Sequence, residues 1–134
     1  HRTSRRQRQM CIRDSSDHLP EDEESKRLPF AQAATGAIGV ETLLPLSLEM
    51  YHNESLSLNK IIETLTINPA KILQIKKGSL SKGSDGDICI FDLEAPWAVK
   101  AEELKSKSKN TAIEGRKLQG KVLMTFLNGE LVFS

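Results

Sequence analysis

Apolar residues recur at helical spacing through the middle of the chain. They do so over residues 41–52 and, after a break at Asn53-Glu54-Ser55, over a second stretch: Leu43, Leu44, Leu48 and Tyr51, then Leu58, Ile61, Ile62 and Leu65. Asn68 is a favourable N-cap and Pro69 suits a first helical position, so a third helix is predicted over residues 69–75, ending near Gly78. The pattern therefore predicts three successive helices, of which the first two each bury one face.

Beyond Gly78 the pattern changes from helical to strand-like. Residues 88–91 form a short apolar run between two aspartates, which is typical of a strand. Near the end, residues 121–127 and 130–133 flank Asn128-Gly129, the dipeptide that best supplies the positive φ angles of a two-residue hairpin turn. The last part of the chain is therefore predicted to contain a strand followed by a hairpin.

Three stretches have no regular apolar period. Residues 16–30 are polar and acidic and contain two prolines, and residues 105–111 alternate lysine with serine, so both are predicted to be loops. Residues 1–15 crowd five arginines among polar residues and are predicted to be a disordered basic segment. Because its run over residues 5–15 resembles translated cloning or sequencing-adaptor sequence, we expect this segment to be foreign to the protein. The alternative, a nucleic-acid-binding arm, lacks interleaved aromatic residues.

Composition and charge restrict the function classes. The 134 residues are 38% hydrophobic and 28% charged, as expected of a globular domain, and the net charge of +1 argues against nucleic-acid or membrane-surface partners. Cys11 and Cys89 lie far apart, which suggests neither a disulfide framework nor a cysteine metal site. The sequence contains neither an apolar run of about 20 residues nor a signal-peptide pattern, so a cytoplasmic location is expected.

The first candidate for chemistry is the adjacent pair Asp17-His18. A fixed carboxylate can ligate a metal and carry the proton of an attacking water, although such a pair in a polar loop is more often simply solvated. The chain has three histidines and no His-x-His motif, so it cannot assemble a complete metal site alone. No serine lies in a Gly-x-Ser-x-Gly motif, which argues against a serine nucleophile.

The second candidate is the glycine loop, Gly36-Ala37-Ile38-Gly39, directly ahead of the first predicted helix. Its bare backbone N–H groups could hold an anion. A tight turn that leads into the helix is the simpler interpretation.

Taken in order, these segments resemble the closing barrel segment of the longer bacterial dihydroorotases, members of the amidohydrolase superfamily. The likeness covers nearly everything after Ser15. The Asp-His-x-Pro and Asn-Pro-Ala motifs are shared with allantoinases and hydantoinases, whereas the Leu-Pro-Phe and Ser-Lys-Asn-Thr stretches are closer to dihydroorotases. The matching segments are Ser16-Asp17-His18-Leu19-Pro20, Lys26-Arg27-Leu28-Pro29-Phe30, Gly36-Ala37-Ile38-Gly39-Val40-Glu41-Thr42, Asn68-Pro69-Ala70, residues 86–92, residues 106–111 and the hairpin from Gly120 to Phe133.

The resemblance implies an α/β fold. The family has a (β/α) barrel with its active site at the carboxyl ends of the strands, and a small β-sandwich. Residues 16–77 would be an incomplete TIM-like barrel segment, comprising the last barrel unit and its helices, and residues 78–134 part of the β-sandwich with its C-terminal hairpin. Because a full barrel takes about 250 residues, the chain would be a C-terminal fragment.

The resemblance also implies a function and residue roles. Such proteins are zinc enzymes of pyrimidine synthesis that interconvert dihydroorotate and N-carbamoyl-aspartate. Asp17 would contact zinc and act as general base, then as acid toward the leaving nitrogen, while backbone groups of Thr35 and Gly36 would meet the substrate. Glu21 stands where the family usually has a histidine that helps bind the substrate carboxylate. The other ligands would lie upstream, so the fragment is expected to be inactive alone.

Two alternatives remain open at this point. The chain could belong to a non-catalytic dihydroorotase-like partner of aspartate carbamoyltransferase, which Glu21 favours and the presence of Asp17 disfavours. It could instead belong to a sister amidohydrolase acting on allantoin or hydantoins. A homo-oligomer is expected for the full-length protein.

Overall fold

The computed structural model describes residues 13–134, so all but the last three residues of the segment predicted to be disordered, residues 1–15, lie outside the described range. Helices fill the first half of this range and an antiparallel sheet fills the second, so the α/β class is confirmed. No helix in the described range is long and apolar enough to cross a membrane. The elements are α1 (Glu23–Lys26), α2 (Leu43–His52), α3 (Leu58–Leu65), α4 (Ile67–Ile72), β1 (Ile88–Ala98), a short 3-10 helix (Ala101–Glu103), β2 (Lys117–Leu127) and β3 (Glu130–Phe133).

Helices α2 and α3 confirm the two predicted amphipathic stretches. Leu48 and Ile61, which the helical spacing places on the inner faces, have no exposed surface. Helix α3 begins after Ser57, whose Oγ accepts a hydrogen bond from the backbone N–H of Lys60 at 3.4 Å. Helix α2 begins at Leu43 rather than at Glu41, and the Glu41 carboxylate accepts hydrogen bonds instead from the backbone N–H groups of Lys105 and Ser106, in the loop after the 3-10 helix.

The third helix was predicted with the wrong bounds. It starts at Ile67, because Thr66 (φ −124°, ψ −85°) breaks the chain for a single residue after α3. Pro69 is therefore the third helical residue, where its missing N–H removes no intrahelical bond. Asn68 lies inside the first turn and is not the N-cap. The helix ends at Ile72, three residues earlier than expected.

Helix α1 lies in the stretch predicted to be a loop. The Asp22 side chain accepts from the backbone N–H of Ser25 at 2.7 Å, and this bond lowers the pKa of Asp22 below its ordinary value. Glu23 and Glu24 in the first turn and Lys26 in the last suit the helix dipole. The cap residue and the charges are visible in the sequence, but the loop prediction took into account only the polar, acidic composition and the two prolines.

The sheet has the order β1-β2-β3, with both neighbouring pairs antiparallel. Asn128 (φ 51°) and Gly129 (φ 84°) form the turn between β2 and β3, which confirms the predicted hairpin. Strand β1 continues well beyond the predicted residues 88–91, with irregular pairing between Asp92 and Pro96. Whether this sheet is part of a sandwich, and the helices part of a barrel, stays a prediction.

The buried core lies where the helices meet the sheet. It is built from Ile38, Val99, Leu104 and Leu118, with Leu46, Trp97 and Ile113 packed against it. Helix α2 rests on β2 at Gly120, where an added Cβ would lie 2.5 Å from the Leu48 side chain. Since Ile38 belongs to the glycine loop, this core anchors the loop from beneath.

Candidate functional site

The loop that carries Asp17 lies directly against the glycine loop. The backbone N–H of Leu19 donates to the carbonyl of Ala37 at 2.9 Å, and His18 and Ala37 form a single parallel β-bridge. We call residues 16–19 the aspartate loop. The two motifs that the sequence singled out for chemistry are thus neighbours in space.

Both glycines of the glycine loop are needed for this close approach. A Cβ at Gly36 would lie 2.6 Å from the carbonyl oxygen of Leu19, and one at Gly39 would lie 2.5 Å from that of Ser16. Real Cβ atoms essentially never come that near to another heavy atom. The two glycines therefore allow the backbone to pack closely against both ends of the aspartate loop. Neither the anion site nor the tight turn considered from the sequence included this role.

His18 joins the two loops through its side chain. Its Nδ1 accepts hydrogen bonds from the backbone N–H groups of Gly39 at 3.1 Å and Val40 at 3.3 Å. A ring nitrogen that accepts carries no proton, so this arrangement requires the tautomer protonated on Nε2. The Gly39 N–H is accordingly engaged within the protein and does not serve as an anion donor.

The carbonyl of Gly36 is held by two side-chain donors. Lys26 Nζ lies 2.9 Å from it and Asn110 Nδ2 lies 3.1 Å from it. Lys26 also donates to the carbonyl of Ala34 at 2.7 Å, so its ammonium group spans the backbone on either side of Thr35. These contacts orient the peptide planes on either side of Thr35. Lys26 and Asn110 lie in two of the segments that resemble dihydroorotases, but no pattern in the sequence indicated that they bond to the glycine loop.

The lysine-serine stretch over residues 105–111 is a loop, as predicted, and it fastens the site from the side of the sheet. Ser108 Oγ donates to the carbonyl of Glu21 at 2.5 Å, and Asn110 Oδ1 accepts from the Glu21 N–H at 3.4 Å. The backbone N–H of Ile38 donates to the carbonyl of Asn110 at 3.2 Å. Glu21 is half-buried and its backbone is thereby fixed beside the site.

A cleft of about 450 Å³ opens between the aspartate loop, the glycine loop, helix α2 and residues 112–113. Asp17 and Gly36 both line it. Asp17 has a left-handed backbone (φ 46°) and is exposed. Thr35 is exposed and Glu21 is half-buried, and neither lines the cleft. The structure thus brings two of the four predicted site residues to one cavity and places the other two beside it.

Asp14 lines the same cleft, although the sequence did not indicate it as a site residue. Its Oδ2 accepts from Ser47 Oγ on α2 at 2.5 Å, and its backbone N–H donates to the carbonyl of Thr64 on α3 at 3.1 Å. It belongs to the segment expected to be foreign, and that expectation stays a prediction.

The described residues do not form a metal site by themselves. No group of three or more His, Cys, Asp or Glu side chains within residues 13–134 is arranged to hold a metal ion. Asp17 and Asp14 bring two carboxylates to the cleft, whereas a catalytic zinc takes three protein ligands. The described residues that line the cleft therefore do not supply a complete set of zinc ligands.

Comparison with known proteins identifies the class. The family model described as the amidohydrolase family matches residues 16–132, and the chain belongs to this family. Within it, the chain is 44% identical over 123 residues to the dihydroorotase of Anaplasma phagocytophilum (strain HZ), covering 92% of this chain and 27% of that protein. The resemblance inferred from the motifs is confirmed. The chain spans about a quarter of the length of that relative.

Solved structures agree on the fold. A D-hydantoinase structure superposes with a TM-score of 0.83 and 26% identity, covering 92% of this chain and 28% of that one. The L-hydantoinase (dihydropyrimidinase) from Arthrobacter aurescens gives a TM-score of 0.72 and 34% identity, covering 78% of this chain and 24% of that one. The arrangement of helices and small sheet is therefore that of a segment of a larger amidohydrolase.

Proposed function

We propose that this chain is part of a dihydroorotase, an enzyme that interconverts dihydroorotate and N-carbamoyl-aspartate in pyrimidine synthesis. The observation that carries the proposal is the cleft shared by Asp17 and Gly36, in a chain 44% identical to a dihydroorotase. Residues 16–77 would complete the last unit of a (β/α) barrel, and residues 78–134 would be part of the β-sandwich. We place the enzyme in the cytoplasm, as a homo-oligomer.

In this proposal Asp17 is the acid/base of the reaction. Its carboxylate takes a proton from the attacking water and then delivers it to the nitrogen that leaves the cyclic amide. The backbone of Thr35 and Gly36 would bind the substrate. Lys26 and Asn110 support this role, because they donate to the carbonyls of Ala34 and Gly36 and so hold the adjoining peptide planes in a fixed orientation. Preorganised groups of this kind need no rearrangement when charge develops in the transition state.

Zinc is the metal we propose for the whole enzyme. Bound at such a site, zinc polarises a carbonyl and lowers the pKa of water. This chain would supply Asp17 as one ligand, and the rest of the longer protein would supply the others. The 134-residue chain is accordingly expected to be inactive alone, even with added zinc.

The test is Asp17→Asn in the full-length enzyme that contains this chain. Asparagine keeps the shape but cannot accept and return the proton, so kcat should fall by about 10²- to 10⁴-fold. Glu102→Gln is the matched control, because Glu102 is an exposed carboxylate on the 3-10 helix, away from the cleft. Retention of activity within tenfold in Asp17→Asn would overturn the assignment.

A second candidate is a hydantoinase-type enzyme, favoured by the likeness to the L-hydantoinase from Arthrobacter aurescens. The same assay separates the two, with dihydroorotate and hydantoin offered to the wild-type enzyme. Turnover of hydantoin without dihydroorotate would establish the second candidate. Turnover of neither, together with stable association with aspartate carbamoyltransferase, would favour the non-catalytic partner that Glu21 suggests.

A further inference from the structure

His18 holds the aspartate loop in place by side-chain hydrogen bonding. Its Nδ1 receives two backbone N–H groups from the far end of the glycine loop, 21 and 22 residues along the chain. The next contact along the loop is the 2.9 Å bond from the Leu19 N–H to the Ala37 carbonyl. Asp17 immediately precedes the two residues, His18 and Leu19, that make these contacts.

The backbone of Asp17 requires such support. Its φ of 46° lies in the left-handed region, which aspartate tolerates better than most residues but at some cost in free energy. The contact on its other side is long, since the Asp17 N–H lies 3.5 Å from Ser15 Oγ. The conformation is therefore maintained mainly from the His18 side.

We propose that His18 is a positioning residue for the reaction of Asp17, acting through Nδ1 as a hydrogen-bond acceptor for the Gly39 and Val40 amides. The inference rests on the proposed function and extends it to the histidine of the Asp-His pair. His18 does not act on the substrate itself. Its contribution is to fix the distance between the Asp17 carboxylate and the backbone of Gly36.

The stereochemistry of two amide side chains gives a sharp test. Asparagine carries its amide oxygen on Cγ, as histidine carries Nδ1, whereas glutamine reaches one bond further, toward the position of Nε2. His18→Asn can therefore accept from the Gly39 and Val40 amides. His18→Gln is its matched control, with the same amide group in the wrong place, and His18→Ala removes the acceptor altogether.

In the full-length enzyme, kcat for dihydroorotate should fall by about 10- to 100-fold in His18→Ala and His18→Gln, because small misplacements of catalytic groups cost that much. KM should change less. His18→Asn should stay within a few-fold of wild type. Amide hydrogen exchange at Gly39 and Val40 should be faster in the alanine and glutamine variants and near normal in the asparagine variant.

Two outcomes would overturn the inference. An active His18→Gln beside an inactive His18→Asn would show that Nε2 acts directly, and equal activity in all three variants would show that the contact is dispensable. Wild-type enzyme that does not turn over dihydroorotate would refute the proposed function instead. In that case the exchange pattern still decides whether His18 fastens the two loops.

Discussion

Adding one methyl group at Gly39 should disable the site by displacing the aspartate loop, without changing Asp17 itself. The new Cβ of Gly39→Ala would lie 2.5 Å from the carbonyl oxygen of Ser16. Gly39 does not have a positive φ, so alanine is compatible with the backbone there. The whole effect therefore comes from the contact with the residue next to Asp17.

The size of the effect follows from that distance. Real Cβ atoms keep about 3.0 Å or more from such a neighbour, so the loops must separate by at least about 0.5 Å. The obstacle is a backbone carbonyl, which cannot rotate away as a flexible side chain would. Overpacking of this kind costs about 1 to 3 kcal/mol of folding stability. A shift passed to Asp17 should lower kcat by about 10- to 100-fold.

Gly86→Ala is the matched control. Its Cβ would lie 2.8 Å from the backbone nitrogen of Gly129, and Gly86 likewise has no positive φ. The same methyl group thus meets a backbone atom of the hairpin turn instead of the aspartate loop. Denaturant unfolding should show a lower stability for both variants. Only Gly39→Ala should lose dihydroorotase turnover in the full-length enzyme.

Two results would contradict this prediction. One is a Gly39→Ala variant that is folded at the assay temperature and retains kcat within twofold of wild type. The other is a Gly86→Ala variant that loses as much activity for the same loss of stability. In the first case the aspartate loop has more freedom than its contacts indicate. In the second case the loss reflects stability in general.

Two further predictions concern contacts away from Asp17. Hydrogen bonds from the Asn128 N–H and from Lys77 lower the pKa of Asp87 below its ordinary value of 3.8. The ionised Asp87 carboxylate therefore stabilises the folded state fully above pH 3.8, and this stabilisation is lost as the pH falls through the lower pKa of the folded state. Unfolding midpoints measured between pH 6 and 2 should therefore fall more steeply for wild type than for Asp87→Asn, and parallel curves would contradict this. Glu41→Gln should speed amide exchange at Lys105 and Ser106, because their N–H groups donate to the Glu41 carboxylate at 2.9 and 3.0 Å; unchanged exchange would show that the charge is not needed.

Local patterns in the sequence predicted most of the secondary structure. Helical spacing identified α2 and α3 because each must bury a face, and Asn128-Gly129 identified the hairpin because few other dipeptides accept two positive φ angles. The bounds of α4 were missed because one residue, Thr66, breaks and restarts the helix. Strand β1 was cut short because its continuation contains Pro96 and charged residues, which lower strand propensity.

The site could be predicted only as separate motifs. Asp17 and Gly36 were both singled out, and the structure brings them to one cleft. The contacts that hold them there join residues far apart in the chain, such as Ser108 with Glu21 and Asn110 with Gly36. A single sequence carries the periodicity of each element and no direct record of which loops meet, so these partners could not be assigned from it.

The glycine loop shows why the contacts that could not be predicted from the sequence matter for function. From the sequence its glycines indicated either a turn or an anion site, because both uses depend on glycine's backbone alone. In the structure the deciding feature lies on the other loop, in the carbonyls of Ser16 and Leu19, which leave no room for a Cβ. The Gly39 N–H also donates a hydrogen bond to His18 Nδ1, which holds the two loops together at the same place. Substitutions in the glycine loop should therefore act on catalysis through Asp17, even where they leave the substrate-facing surface unchanged.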